Sequence, residues 1–139
     1  MNRRQLLVRG ALLAALAPVV RAAGAGASGD AAAPVLAVHD PAYRRSSEFA
    51  RGLQDRGARV LSLEPDAMAA WHGTLRAACA ASPSLRIIGL TTHTDFMVLR
   101  DLARTAGLVP LATRDADAGG ARRRATLIAW VLAPRARLG

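Results

Sequence analysis

The stretch Ile87-Ile88-Gly89-Leu90-Thr91-Thr92-His93-Thr94-Asp95-Phe96, IIGLTTHTDF, changes character at its midpoint. An apolar, strand-like run gives way to three threonines, a histidine and an aspartate. Phe96, Leu99, Leu102 and Ala106 then recur at helical spacing. The stretch therefore reads as a strand, a polar turn and a helix, with Thr94 or Asp95 as N-cap and Gly107 as the stop.

Upstream, the same alternation occurs twice. Val35 to Val38 is a short apolar strand, and His39-Asp40-Pro41 marks a helix start with Asp40 as N-cap and Pro41 at the first helical position. Phe49, Ala50 and Leu53 share one face of that helix, and Gly57 closes it. Arg59 to Leu63 forms a second strand. Asp66 caps a second helix in which Met68, Trp71, Leu75 and Cys79 point inward, and Ser82-Pro83 ends it before the third strand at Arg86 to Leu90.

Downstream the pattern changes. Leu108 to Thr113 and Ala125 to Leu132 both read as strands, but the RDADAGGARRR between them is too polar and glycine-rich for a crossover helix. An antiparallel excursion is expected instead. The expected fold is α/β: a three-layer open sheet, flavodoxin-like or Rossmann-like, with βαβαβα followed by two C-terminal strands, the last antiparallel. The order 2-1-3-4-5 is expected, with 3-2-1 as the alternative. ATLIAWVL (Ala125–Leu132) suits a central strand, yet chain order places it at an edge. It either inserts into the sheet or forms an interface with a second copy or a protein partner.

The 139 residues allow one domain. All 19 basic residues are arginine, and with few aromatics the core must be built from Ala, Leu, Val and Ile. Cys79 is the only cysteine, so no intrachain disulfide can form; its helical position makes it a small buried hydrophobe.

Residues 1–30 have a basic start, an apolar run from Ala11 to Val20 and small residues beyond, the layout of a secretory signal. The apolar run is about half the roughly 20 residues a membrane-spanning helix needs, so no permanent anchor is expected. Asn2-Arg3-Arg4-Gln5-Leu6-Leu7-Val8 resembles the twin-arginine export motif. Arg3, Arg4 and Leu7 match it, Leu6 stands in for the aromatic, and Asn2 and Val8 depart from it. This resemblance implies export of a folded chain through the twin-arginine translocase to the periplasm. Cleavage would fall near Ala25 or Ala27, giving a signal over 1–27, a linker over 28–33 and one α/β domain over 34–139. Removing Arg3, Arg4, Arg9 and Arg21 takes the net charge from +9 to about +5. Arg122 to Arg124, Arg135 and Arg137 flank the last strand and suit an acidic partner or an anionic membrane surface, or act as solubilising flanks. Nucleic acid is not expected as a partner.

In open α/β sheets, ligands bind at the carboxyl ends of the strands. Those ends carry His39 and Asp40, then Glu64, then Thr91 to Asp95, then Arg114, Asp115 and Asp117. One reading is purely structural: Asp40, Asp66 and Thr94 or Asp95 cap helices, and Thr91 and Thr92 satisfy the turn. The functional readings use the same residues. His39 and His93, with Asp95, Glu64 or Asp115, carry the imidazole and carboxylate chemistry of a divalent metal site or of general acid–base catalysis. Thr91, Thr92 and Thr94 at a helix start suit an anion or cofactor. Neither G-x-G-x-x-G nor a P-loop is present.

EPDAMAAWHGTL, with IIGLTTHTDFMVLRDLARTAG, resembles stretches of small exported proteobacterial proteins through Asp66, Trp71, Leu75, Gly89, Leu90 and Thr91. That likeness implies no activity. The expectation is an exported binding or accessory subunit without catalysis of its own. The alternative is a small periplasmic enzyme or metal- or cofactor-binding protein with its site at the carboxyl ends of the first and third strands, at His39 and His93.

Overall fold

The computed structural model describes residues 12–24, 33–116 and 127–135. Residues 12–15 are helical and lead through Leu16 into α1 (Ala17–Ala23). There follow β1 (Val35–His39), α2 (Arg44–Gln54), β2 (Arg59–Ser62), α3 (Ala67–Ala70), one π-helical turn (Trp71–Leu75), α4 (Arg76–Ala81), β3 (Arg86–Thr92), α5 (His93–Arg104), β4 (Leu108–Asp115) and β5 (Leu127–Pro134). The fold is α/β, with one five-stranded mixed sheet between helices.

The strand order is β2-β1-β3-β5-β4. β1 runs parallel to β2 and β3, while β5 runs antiparallel to both β3 and β4. The expected antiparallel last strand is present, but it lies inside the sheet, not beyond β4. The reason is in its composition. Leu127 to Ala133 are all buried, and an edge would leave one side of such a strand unpaired. β4, which carries Pro110, takes the edge, where a residue without an N–H is tolerated.

Each face of the sheet has its own core. On the first, Leu36, Val38, Ile87, Ile128, Trp130 and Leu132 meet Trp71, Leu75 and Cys79 of the second crossover and Phe96, Leu99 and Ala103 of α5. Met68, expected inward, is half exposed: the helix begins at Ala67, so Ala67, Trp71, Leu75 and Cys79 form the inward row. Ala103 likewise takes the inward place expected of Ala106, which is exposed.

On the second face, Ala37, Ile88, Leu90, Leu127, Ala129 and Val131 meet Phe49, Ala50 and Leu53 of α2. They also meet Leu12, Leu13, Leu16, Val19, Val20 and Ala23. Among the described residues, one crossover helix lies on this face and two on the other. The N-terminal segment therefore closes the area over β3, β5 and β4. Arg86 Nη1 donates to the Ala22 carbonyl at 2.6 Å, and Gly24, at φ 72°, ends the helix.

At the centre of the first face, Trp130 is opposite Gly89 in the β3–β5 pairing and stacks on Phe96, with centroids 5.6 Å apart. A Cβ on Gly89 would lie 2.5 Å from Trp130 Cζ2. Gly89→Ala is therefore expected to cost about 1–3 kcal/mol of overpacking, measured by urea denaturation. Gly73, whose added Cβ meets nothing within 4 Å, is the control. Gly73→Ala should be neutral or stabilising by up to about 1 kcal/mol.

Candidate functional site

The carboxyl ends of β1, β2 and β3 form one rim with the starts of α2, α3 and α5. Thr91 is fully buried. Its Oγ1 accepts from Trp130 Nε1 at 2.9 Å and donates to the Thr92 carbonyl at 3.0 Å. Without it, the indole N–H would lie unpaired in the core, a cost of about 1–3 kcal/mol. Thr92, not Thr94 or Asp95, caps α5, its Oγ1 accepting from Asp95 N at 3.2 Å. The strand runs two residues further than the apolar pattern indicates, which moves the cap. Thr94 is exposed.

Asp66 caps α3 as expected, accepting from Ala69 N at 2.8 Å. Asp40 does not cap α2. That helix begins at Arg44 after an extended Tyr43, and Asp40 Oδ1 accepts from Ala42 N at 3.0 Å in a turn before it. Ser46 supplies what holds this loop. Its buried Oγ accepts from Asp40 N at 2.8 Å and donates to the Leu90 carbonyl, tying the β1 exit to β3. Sequence reasoning missed Ser46; the only signal was a serine on the apolar side of a helix, three residues before Phe49.

The two histidines sit at the ends of neighbouring strands but turn to different elements. His39 Nδ1 lies 3.2 Å from Ser47 Oγ on α2. His93 Nε2 reaches past β5 to Asp115 Oδ1 on β4 at 3.2 Å, an exposed pair worth at most about 1 kcal/mol. Among the described residues, no group of three His, Cys, Asp or Glu stands close enough to hold a metal ion, so His39, His93, Asp95 and Glu64 are not brought together as a ligand set. Cys79 is buried on α4, and burial pushes its thiol pKa up. Arg3, Arg4, Asp117, Arg122 to Arg124 and Arg137 lie outside the described residues.

The rim is electrostatically strained at Asp95. Burial, and then the charge of Asp40, raise its pKa above the usual carboxylate value; the hydrogen bond with Thr92 opposes this, and Asp66 adds to it. A group with a raised folded pKa contributes stability present below its unfolded value and lost as pH rises through the folded one. Asp95→Asn, which keeps the shape, is therefore expected to raise Tm at pH 7. The gain should fade on acidification towards the unfolded value of 3.8. His39 shifts the other way: burial, then Arg51, lower its pKa against the pull of Asp40 and Glu64. Its contribution is present above the unfolded value of 6.5 and is lost as pH falls through the folded one. Thermal melts from pH 3 to 8 on wild type and Asp95→Asn separate the two, and an Asp95→Asn gain that persists unchanged at low pH would contradict this account.

Comparison with known proteins gives no match to a family model, a curated protein or a solved structure. No helix among the described residues is long and apolar enough to cross a membrane.

Proposed function

We propose that this chain is an exported periplasmic α/β domain that acts as a binding or accessory subunit without catalysis of its own. The observation supporting this reading is how the polar groups at the strand ends are used. Thr91 holds Trp130, Thr92 caps α5, His39 meets Ser47, and His93 is paired at the surface with Asp115. Each serves the fold. The twin-arginine-like Arg3-Arg4 start gives the proposal its route, through the twin-arginine translocase, with cleavage near Ala25 or Ala27. The β2-β1-β3 order supports a flavodoxin-like relationship for the first half of the domain. Both hydrogen-bonding edges of β5 are occupied and both its faces are covered, so the reading does not route a partner or second copy through this strand.

A second reading rests on the carboxylates. Asp40 and Asp66 both act on Asp95, and Asp40 and Glu64 act on His39, which marks one acidic rim at the β1–β3 switch point. This is where a small-substrate or cofactor site would lie. Native mass spectrometry of the protein taken from its own periplasm tests both. A protein partner without a small ligand supports the first reading; a stoichiometric metal or cofactor supports the second and overturns the first. Absence from the periplasm overturns the export route.

A further inference from the structure

Residues 12–24 have two uses that exclude each other. They contain the apolar core of the segment read as an export signal, and they are also docked on the second face of the sheet. Export needs overall hydropathy, which is indifferent to helical phase. Docking needs phase, and phase is what the segment has. Leu12, Leu13, Leu16, Val19 and Val20 are all buried, whereas Ala14, Ala15, Pro18 and Arg21 face outward. The receiving surface is shaped to match. Gly52 on α2 leaves room for Leu13, whose Cδ1 lies 2.8 Å from where a Cβ on Gly52 would be. Arg86 on β3 holds the Ala22 carbonyl, and among the described residues no crossover helix covers β5 and β4 on this side.

We propose that the docked Leu12–Gly24 segment is an intramolecular plug: the folded domain withholds the export core from its machinery until the helix is drawn off the β3–β5–β4 face. This inference rests on the export reading and assigns that face one occupant, the chain's own segment.

The test compares the full chain with Gly52→Leu, which fills Leu13's place without altering the segment, and with Gly52→Leu/Leu13→Ala, which gives the room back. Hydrogen exchange read by mass spectrometry should show residues 16–24 protected in the unaltered chain. Gly52→Leu should raise their exchange by at least about tenfold while β1 and β3 stay protected, and the double variant should restore protection. In cells that make the protein, pulse-chase labelling should show Gly52→Leu processed faster and the double variant at the original rate. Unprotected amides over 16–24 in the unaltered chain would overturn the docking. Faster exchange with unchanged processing would overturn the withholding. If Gly52→Leu loses protection everywhere, the double variant decides, and failure to regain both properties sinks the proposal. Arg3→Lys with Arg4→Lys tests the export reading separately: it should stop processing and leave exchange unchanged. Processing that persists with the lysine pair removes the twin-arginine route, and no processing of the unaltered chain at all removes the export reading; the docking stands in either case.

Discussion

Trp130→Ala is expected to lower the free energy of unfolding by about 3–5 kcal/mol, a large share of what a domain of this size possesses. Trp130 is fully buried in the middle of β5 and stacked on Phe96. It lies against a glycine whose missing side chain makes room for the indole, and its N–H is held by a buried threonine. Removing the ring leaves a cavity bounded by β3 and α5, and strands on either side of β5 cannot close in without breaking register. It also leaves Thr91 Oγ1 without its donor. Trp130→Phe separates the two effects: it keeps most of the packing and loses only the N–H, so about 1–2 kcal/mol should go. Urea unfolding followed by far-ultraviolet circular dichroism measures both, with Trp71 retained as a fluorescence reporter. A Trp130→Ala chain within about 1 kcal/mol of wild type would mean that this stack does not organise the core.

The second large effect is expected at Leu16. Leu16→Asp places a carboxylate where the side chain is 2% exposed, among Val19, Val20 and the apolar residues of the sheet. An unpaired buried charge is not tolerated, so either the carboxyl stays protonated or the segment leaves the sheet. Either route should cost about 3 kcal/mol or more at pH 7, with dye binding to the uncovered face. Ala15→Asp, one residue away and exposed, should change stability by no more than about 0.5 kcal/mol. Equal Tm values for the two variants would show that residues 12–24 contribute nothing to the stability of the folded chain.

The strands and helices of the first half were legible because their signals agree. Val35–His39 and Arg86–Thr92 are apolar runs followed by helix-start residues, and Gly57 and Gly107 stand at positive φ where the helices stop. Helix starts were less legible. Asp40-Pro41 has the composition of a cap, yet Ser46 draws the Asp40 backbone to β3, and the helix waits until Arg44. That contact spans forty-four residues to Leu90, and no local pattern carries it. The place of β5 was half legible. Its uniform apolarity demands burial on both faces and both edges, but chain order alone suggests a rim.

The N-terminal cover was hidden for a different reason. An apolar stretch behind paired arginines reads as an address, and that reading diverts attention from its phase. Counting helices per face would have found it, since right-handed crossovers put one helix on one side and two on the other. The polar knot at Thr91 to Asp95 was legible as a strand–turn–helix junction, but the division of labour within it was not. Which threonine faces the core depends on Trp130, thirty-nine residues away.

The outer margin at β4 bears on how the molecule behaves in a crowded compartment. Its register slips between Pro110 and Ala112, and Leu111 stands out from the strand, half exposed. A neighbour attempting to zip alongside would meet a missing N–H and a protruding side chain within three residues of each other, followed by Arg114 and Asp115. Open-ended stacking into fibrils is thereby discouraged at the side of the sheet where an unbroken eight-residue strand would otherwise invite it.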